Sequence, residues 1–268
     1  METAVDASGC GLVPSEEPPV FQTLLIPNFD LASVQDNSVC LLIGRRSTGK
    51  TPLIKDLLWY KQSFPIGVVV EGSNSYSDIV PSLFVYEEYH SSIIKRVLER
   101  QTAVTTKICE GESFDRRAFV CMDDCLYDNR WVPDRYMRSL FIKGRHYGLL
   151  TIMAIHYAMR LPSALCEQFD VVFIMHETQH SVRMHLYTQF ASTIIPTFEL
   201  FCILMDTLND KKTCLVINTH GPSEKPWNQC VFWYTPETHP AFKIGSHALW
   251  ERSAAYERLK NAEENAQE

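Results

Sequence analysis

Hydrophobic and polar positions alternate along this chain on two length scales. Short uninterrupted apolar runs at Val39–Ile43, 66–70, 118–122, Leu149–Ile155 and Val171–Met175 are rich in β-branched residues and too short for typical helices. Runs without polar interruption suit strands buried on both faces, as in a parallel sheet. Between them lie segments with helical spacing. In 50–62, Leu53, Leu57 and Leu58 share a face. The set Ile93, Ile94, Val97, Leu98 and Gln101 predicts a second helix, and 133–143 a third, stopped by Gly144. The runs 214–217 and 230–234 predict a terminal strand pair joined by the turn-rich segment 218–226. The alternation predicts an α/β fold, a mainly parallel sheet with helices on both faces.

Composition narrows the picture. The 268 residues are 46% hydrophobic and 21% charged, which fits an ordinary globular body and excludes coiled coil or wholesale disorder. No run approaches the roughly 18 apolar residues of a spanning helix. The N-terminus lacks the basic and apolar regions of a secretory signal, so a non-secreted protein is expected. Nine cysteines, mostly in apolar runs and without a CxxC pair, read as reduced core thiols. Residues 1–22 are rich in Pro, Ser and acids and are expected to form a flexible tail. A single domain is expected over 23–252, followed by a charged, Ala-rich tail over 253–268, frayed helix or flexible.

The chemistry concentrates at strand ends. Gly44-Arg45-Arg46-Ser47-Thr48-Gly49-Lys50-Thr51 fits GxxxxGK[ST] and stands between a predicted strand and a predicted helix. In such a loop the backbone N–H groups and the helix N-terminus face phosphate oxygens. Lys50 reaches the β- and γ-phosphates, and Thr51 binds Mg²⁺ through its hydroxyl. Pro52 is tolerated because the first helical turn needs no N–H there. The run 118–122 ends in Asp123-Asp124. Asp123 is expected on the Mg²⁺ side, through water, and Asp124 as the base that polarises an attacking water. No guanine-reading NKxD motif is present, so ATP is the expected nucleotide. His156 follows the strand Leu149–Ile155, where a polar side chain can meet the γ-phosphate or the water.

The net charge of −7 excludes coating of nucleic acid through bulk charge. Locally, Arg130, Arg135, Arg138, Lys143 and Arg145 stand with Tyr127, Trp131 and Tyr136. A DNA-facing loop, arginines reaching a neighbouring subunit's nucleotide, and a merely solvated helix face all fit this patch. His176-Glu177-Thr178-Gln179-His180 fits HExxH, with His185 or Glu199 as a conceivable third zinc ligand. His176 directly continues an apolar strand, which speaks against the helical geometry that a zinc protease needs. His90, His220, His239 and His247 lack ligand spacing and read as surface or loop residues. Phe232-Trp233-Tyr234 and the pair Phe242 and Trp250 read as packing aromatics.

The set GRRSTGKT, FVCMDDC, LFIKGRHYGLLTIMAIHY, FDVVFIMHE and CVFWY resembles the genome-packaging ATPases of nucleocytoplasmic large DNA viruses. Those belong to the FtsK/HerA class of P-loop NTPases, of the ASCE/RecA-like type. The similarity runs over about 39–250. Lys50, Thr51, Asp123 and Asp124 fall on its motif positions. The resemblance implies an oligomeric ring, hexameric or pentameric, with ATP and Mg²⁺ at subunit interfaces. It also implies translocation of double-stranded DNA into a preformed capsid, a capsid or portal partner, and residence in the host cytoplasm or viral factory. Arg145 is the candidate arginine acting in trans. His156 departs from the Gln usual in that family after the sensor strand. Two alternatives stand beside this reading: a DNA-remodelling P-loop ATPase that packages nothing, and an assembly scaffold with weak catalysis.

Overall fold

The computed structural model describes residues 26–125, 131–156, 161–208, 212–219 and 226–265. The expected tail 1–22, Tyr127, Arg130, His220 and most of the 218–226 connection lie outside the described residues. The elements in chain order are β1 (Val39–Ile43), α1 (Lys50–Trp59), β2 (Gly67–Glu71), β3 (Val85–Tyr86), α2 (Ser91–Cys109), β4 (Ala118–Asp123), α3 (Arg135–Lys143), β5 (Leu149–Ile155), α4 (Ser163–Cys166), β6 (Val171–Met175), α5 (His180–Leu186), α6 (Phe198–Asp206), β7 (Cys214–Asn218), β8 (Val231–Tyr234) and α7 (His247–Asn265).

The strands form one sheet in the order β3-β2-β4-β5-β1-β6-β7-β8. Every pairing from β3 across to β6 is parallel, and β6–β7 and β7–β8 are antiparallel. The terminal pair is therefore a hairpin attached to a parallel core, as the sequence pattern predicts.

Side-chain period two explains the unbroken apolar runs. Val39, Leu41 and Ile43 of β1 face one core cluster, and Cys40 and Leu42 face the other. The first cluster is covered by α2 (Ile93, Ile94, Val97, Leu98), α3 (Met137, Leu140, Phe141) and α6 (Phe201, Leu204, Met205). The second is covered by α1 through Leu53, Ile54, Leu57 and Leu58, with Phe64, Ile79 and Ile244. Both faces are covered by apolar side chains, so both halves of the alternation are mainly apolar. Each fully buried Leu or Ile contributes roughly 1.5–3 kcal/mol. Thus α1 alone ties the loop before it firmly to the sheet.

α3 ends at Lys143, as expected, but Gly144 keeps a helical φ of −52° instead of a left-handed one, and the chain continues as a 3₁₀ turn over Gly144–Tyr147. The left-handed stop is Gly148, at φ 69°. At the far end, α7 starts before the expected tail, and its Ser253 is buried, bonded to Ser82 Oγ and the Leu83 N–H beside β3. The opposite edge, β8, is covered by the chain entering the fold. The Phe29 N–H donates to the Trp233 carbonyl at 2.9 Å, and the Trp233 N–H to the Pro27 carbonyl at 3.1 Å.

Candidate nucleotide site

Parallel strands deliver their C-terminal ends to one rim of the sheet, and the candidate residues gather there. The loop after β1 turns with Ser47 at φ 60° and Gly49 at φ 101° before α1 begins. Glycine makes the second turn cheap, while Ser47 carries strain in the left-handed region. The loop starts tightly held. Gly44 donates its N–H to the Ile155 carbonyl of β5, and a Cβ on Gly44 would overlap Met175 of β6.

Lys50 is buried inside this loop. Its Nζ donates to the carbonyls of Gly44 (2.8 Å) and Arg45 (3.1 Å), and lies 3.5 Å from Asp124 Oδ2. Burial lowers its pKa, opposed by Asp124 and Asp123. His156 stands between the two charged groups. Its Nδ1 is 3.1 Å from Lys50 Nζ and its Nε2 is 3.1 Å from Asp124 Oδ2. An ammonium offers only donors, so we assign Nδ1 as acceptor and Nε2–H as donor to Asp124. The neutral Nε2–H tautomer satisfies both contacts. Asp124 is held at φ 51°, with its N–H on the Ala154 carbonyl.

Asp123 has a different environment. It is buried, and its Oδ2 accepts from Thr51 Oγ1 (2.8 Å) and from the Tyr76 hydroxyl (2.7 Å). Its Oδ1 is buried and has no hydrogen-bond partner among the described residues. Burial raises its pKa, partly offset by the Tyr76 and Thr51 hydroxyls. A buried carboxyl with one unpartnered oxygen beside a threonine hydroxyl is a hard-oxygen donor set, and it fits Mg²⁺.

Tyr76 and Glu71 escaped the sequence reading. Glu71 ends β2 in register with Asp123, and its carboxylate accepts from the Ser73 and Ser75 N–H groups and the Ser73 hydroxyl. That turn aims Tyr76 at Asp123. A strand ending in a carboxylate was a visible signal for Glu71. Nothing local marks Tyr76, whose partner lies 47 residues on.

The remaining candidates are dispersed. Arg46 is exposed on the loop. The Arg45 side chain turns away from Lys50 to Glu177. Arg145 lies at the opposite rim, before β5, with its guanidinium on Asp170, a buried carboxylate that also accepts the Val39 N–H at 2.8 Å. Of the basic patch, Arg135 and Arg138 are exposed on α3, but Trp131 is buried in the core and Tyr136 carries Arg135 over its ring. Trp131 is therefore unavailable for stacking on DNA. The HExxH run leaves β6 as an extended loop, and only His180 is helical, opening α5. Among the described residues, no group of three or more His, Cys, Asp or Glu is placed to hold a metal, and His185 and Glu199 add none. His239 is not a free loop residue: it stacks on Trp59 at 4.7 Å and bonds the buried Asp56, which also accepts from Tyr234.

A phosphate loop between strand and helix, a strand-end acid pair on the adjacent but one strand and a mainly parallel sheet define the fold as that of the P-loop NTPases. Solved structures share it. The genome-packaging NTPase B204 of Sulfolobus turreted icosahedral virus 2, in complex with ATP-γ-S, superposes with a TM-score of 0.56 at 14% identity, covering 75% of this chain and 98% of that one. ATPases 2 and 3 of EssC from Geobacillus thermodenitrificans superpose at 0.50 and 12%, over 85% of this chain and 45% of that one. The chain is 33% identical over 236 residues to the uncharacterized protein 075L of Invertebrate iridescent virus 6, covering 85% of this chain and 90% of the relative. It belongs to that family of proteins from nucleocytoplasmic large DNA viruses. No family model matches the chain. None of the described helices is long and apolar enough to cross a membrane.

Proposed function

We propose that this chain is a Mg²⁺-dependent ATPase that drives double-stranded DNA into a preformed capsid as a homo-oligomeric ring. The observation that carries the ATPase reading is the convergence of Lys50, Thr51, Asp123, Asp124 and His156 at one rim, with an unpartnered Asp123 oxygen beside the Thr51 hydroxyl. The packaging reading rests on the viral relative and on a fold shared with a packaging NTPase.

Each residue has a task that its position supports. The amides of residues 44–51 and the α1 N-terminus face phosphate oxygens, and Lys50 exchanges its two carbonyls for the β- and γ-phosphates. Thr51 and Asp123 would hold Mg²⁺, which neutralises charge on the phosphates. Asp124 takes the proton of the attacking water as its oxygen bonds the γ-phosphorus and the bond to the bridging oxygen breaks, giving ADP and phosphate. His156 donates to Asp124 and accepts from Lys50, so it registers whether Lys50 has moved to phosphate. Arg145, from the outer surface at the other rim, is the candidate for a neighbouring subunit's nucleotide, which it would reach by leaving Asp170. The cytoplasm or viral factory of the host cell is the expected compartment, and a capsid or portal component the expected partner.

The test is steady-state ATP hydrolysis with and without double-stranded DNA. Wild type is expected to turn over and to be stimulated by DNA. Lys50→Ala and Asp124→Asn are each expected to lose about 10²-fold or more in rate. Turnover indifferent to DNA would refute the translocase part and leave the ATPase. No turnover at any protein concentration would refute both.

A further inference from the structure

The HExxH run holds no zinc-protease geometry, yet its glutamate is the most heavily engaged carboxylate near the phosphate loop. Glu177 is buried just beyond β6. Its Oε1 accepts the N–H groups of Thr178 and Gln179, both at 2.8 Å, and lies 2.8 Å from Arg45 Nη2. Its Oε2 accepts from Arg45 Nε at 3.0 Å. This is a two-point guanidinium–carboxylate pair whose carboxylate half is buried and pre-oriented by backbone. Gln179 Oε1 adds a third contact to Arg45 Nη2 at 3.2 Å.

Arg45 is the second residue of the loop, and its peptide carries the rest. The Arg45 carbonyl accepts from Lys50 Nζ and from Thr48 Oγ1 (2.8 Å). The preceding residue is pinned between Ile155 of β5 and Met175 of β6. Fixing the Arg45 side chain to the segment that leaves β6 therefore fixes the carbonyl on which Lys50 rests, and with it the curvature of residues 45–48. We infer that Glu177 is the positioning residue of the phosphate loop, and that the Arg45 side chain is a strut from the loop to the segment after β6 and not a phosphate ligand. The inference deepens the ATPase reading and rests on it.

The consequence is a binding effect. A loop that must be ordered at the moment of binding charges that ordering to affinity, whereas a preformed one does not. The chemistry at Asp124 is on β4 and β5, away from the strut, so turnover of bound nucleotide should change little.

The experiment is equilibrium binding of a fluorescent ATP analogue with Mg²⁺, together with KM and kcat, for wild type, Glu177→Gln, Arg45→Ala, Arg45→Lys and the Glu177→Gln/Arg45→Ala double variant. Gln keeps an oxygen for the Thr178 and Gln179 amides but sets an N–H against Arg45 Nε–H, so the pair is broken while the turn survives. Arg45 is half-exposed, so its variants carry the test if Glu177→Gln fails to fold. Kd and KM are expected to rise about 5- to 20-fold in Glu177→Gln and Arg45→Ala, with kcat within about threefold. Arg45→Lys, which keeps charge and loses the fork, is expected to fall with Arg45→Ala. The double variant is expected to be no worse than the weaker single one. Wild-type affinity in Glu177→Gln and Arg45→Ala, or fully additive losses in the double variant, overturns this inference alone. A wild-type chain that binds no nucleotide overturns it together with the ATPase reading.

Discussion

Asp123 and Asp124 are neighbours in sequence with opposite environments. The strand ends between them, so one side chain points into the α1 face and the other to the rim. Asp123 is buried, and its raised pKa has a definite sign in stability. Its folded pKa lies above the unfolded value, so the folded chain holds the proton more tightly. The associated stability is fully present below the ordinary aspartate pKa and is lost as pH rises through the folded pKa. Above the ordinary aspartate range the buried carboxyl is therefore a cost to folding, one that a bound cation would relieve. Asp123→Asn should raise the melting temperature without nucleotide at pH 7–8, by about 1 kcal/mol in stability. The gain should shrink towards zero as pH falls to about 4. Thermal melts across that range check this, and a variant less stable than wild type at pH 7–8 would contradict it. The same variant should lose Mg²⁺-dependent turnover.

At the level of elements, the rim owes its geometry to how strands pack below it. Gly67 opens β2, opposite Phe119 of β4 in register. A Cβ on Gly67 would overlap the Phe119 ring, which is fully buried against the α1 face. With the ring seated over Gly67, the β2–β4 ladder keeps the register that sets Glu71 beside Asp123. Gly67→Ala should cost about 2–3 kcal/mol as an overpacked core position. Phe119→Leu in the same chain should recover part of that loss, because the shorter side chain vacates the overlap. Denaturant unfolding of the two single variants and the double variant measures it. Additive destabilisation would show that the two residues do not share the strain.

Over the whole molecule, Arg135, Arg138 and Arg145 are exposed, and Arg145 lies at the rim opposite the site. A chain of net charge −7 has no overall field to hold DNA, so the proposed translocase would need local groups repeated around an assembly. Turnover per subunit should accordingly rise with protein concentration in step with oligomer formation, and DNA stimulation should fall steeply between about 50 and 200 mM salt. Light scattering and turnover measured on the same samples check the coupling. Constant specific activity across the monomer-to-oligomer range would remove the shared-site picture.

Much of this protein was legible in its sequence because the signals are local. Unbroken apolar runs specify strands dry on both faces, and GxxxxGKT between a strand and a helix specifies a phosphate loop. A strand ending in Asp-Asp specifies a carboxylate pair at the same rim, since parallel strands end together. The helix ending at Lys143 was legible too, but not the 3₁₀ turn that carries the chain on from Gly144 to a left-handed Gly148. What the sequence could not determine is which distant side chains share a carboxylate. Tyr76 on Asp123, Glu177 on Arg45, Asp170 on Arg145 and His239 on Asp56 join residues up to 183 positions apart. Such pairs leave no periodicity and no spacing, because the order of strands in the sheet differs from their order in the chain. The motif HExxH shows the same limit from the other side. Its spacing suggests a metal, but the spacing carries that meaning only on a helix, and here the motif begins where β6 ends and runs as a loop up to His180, with Glu177 on Arg45 of the phosphate loop instead.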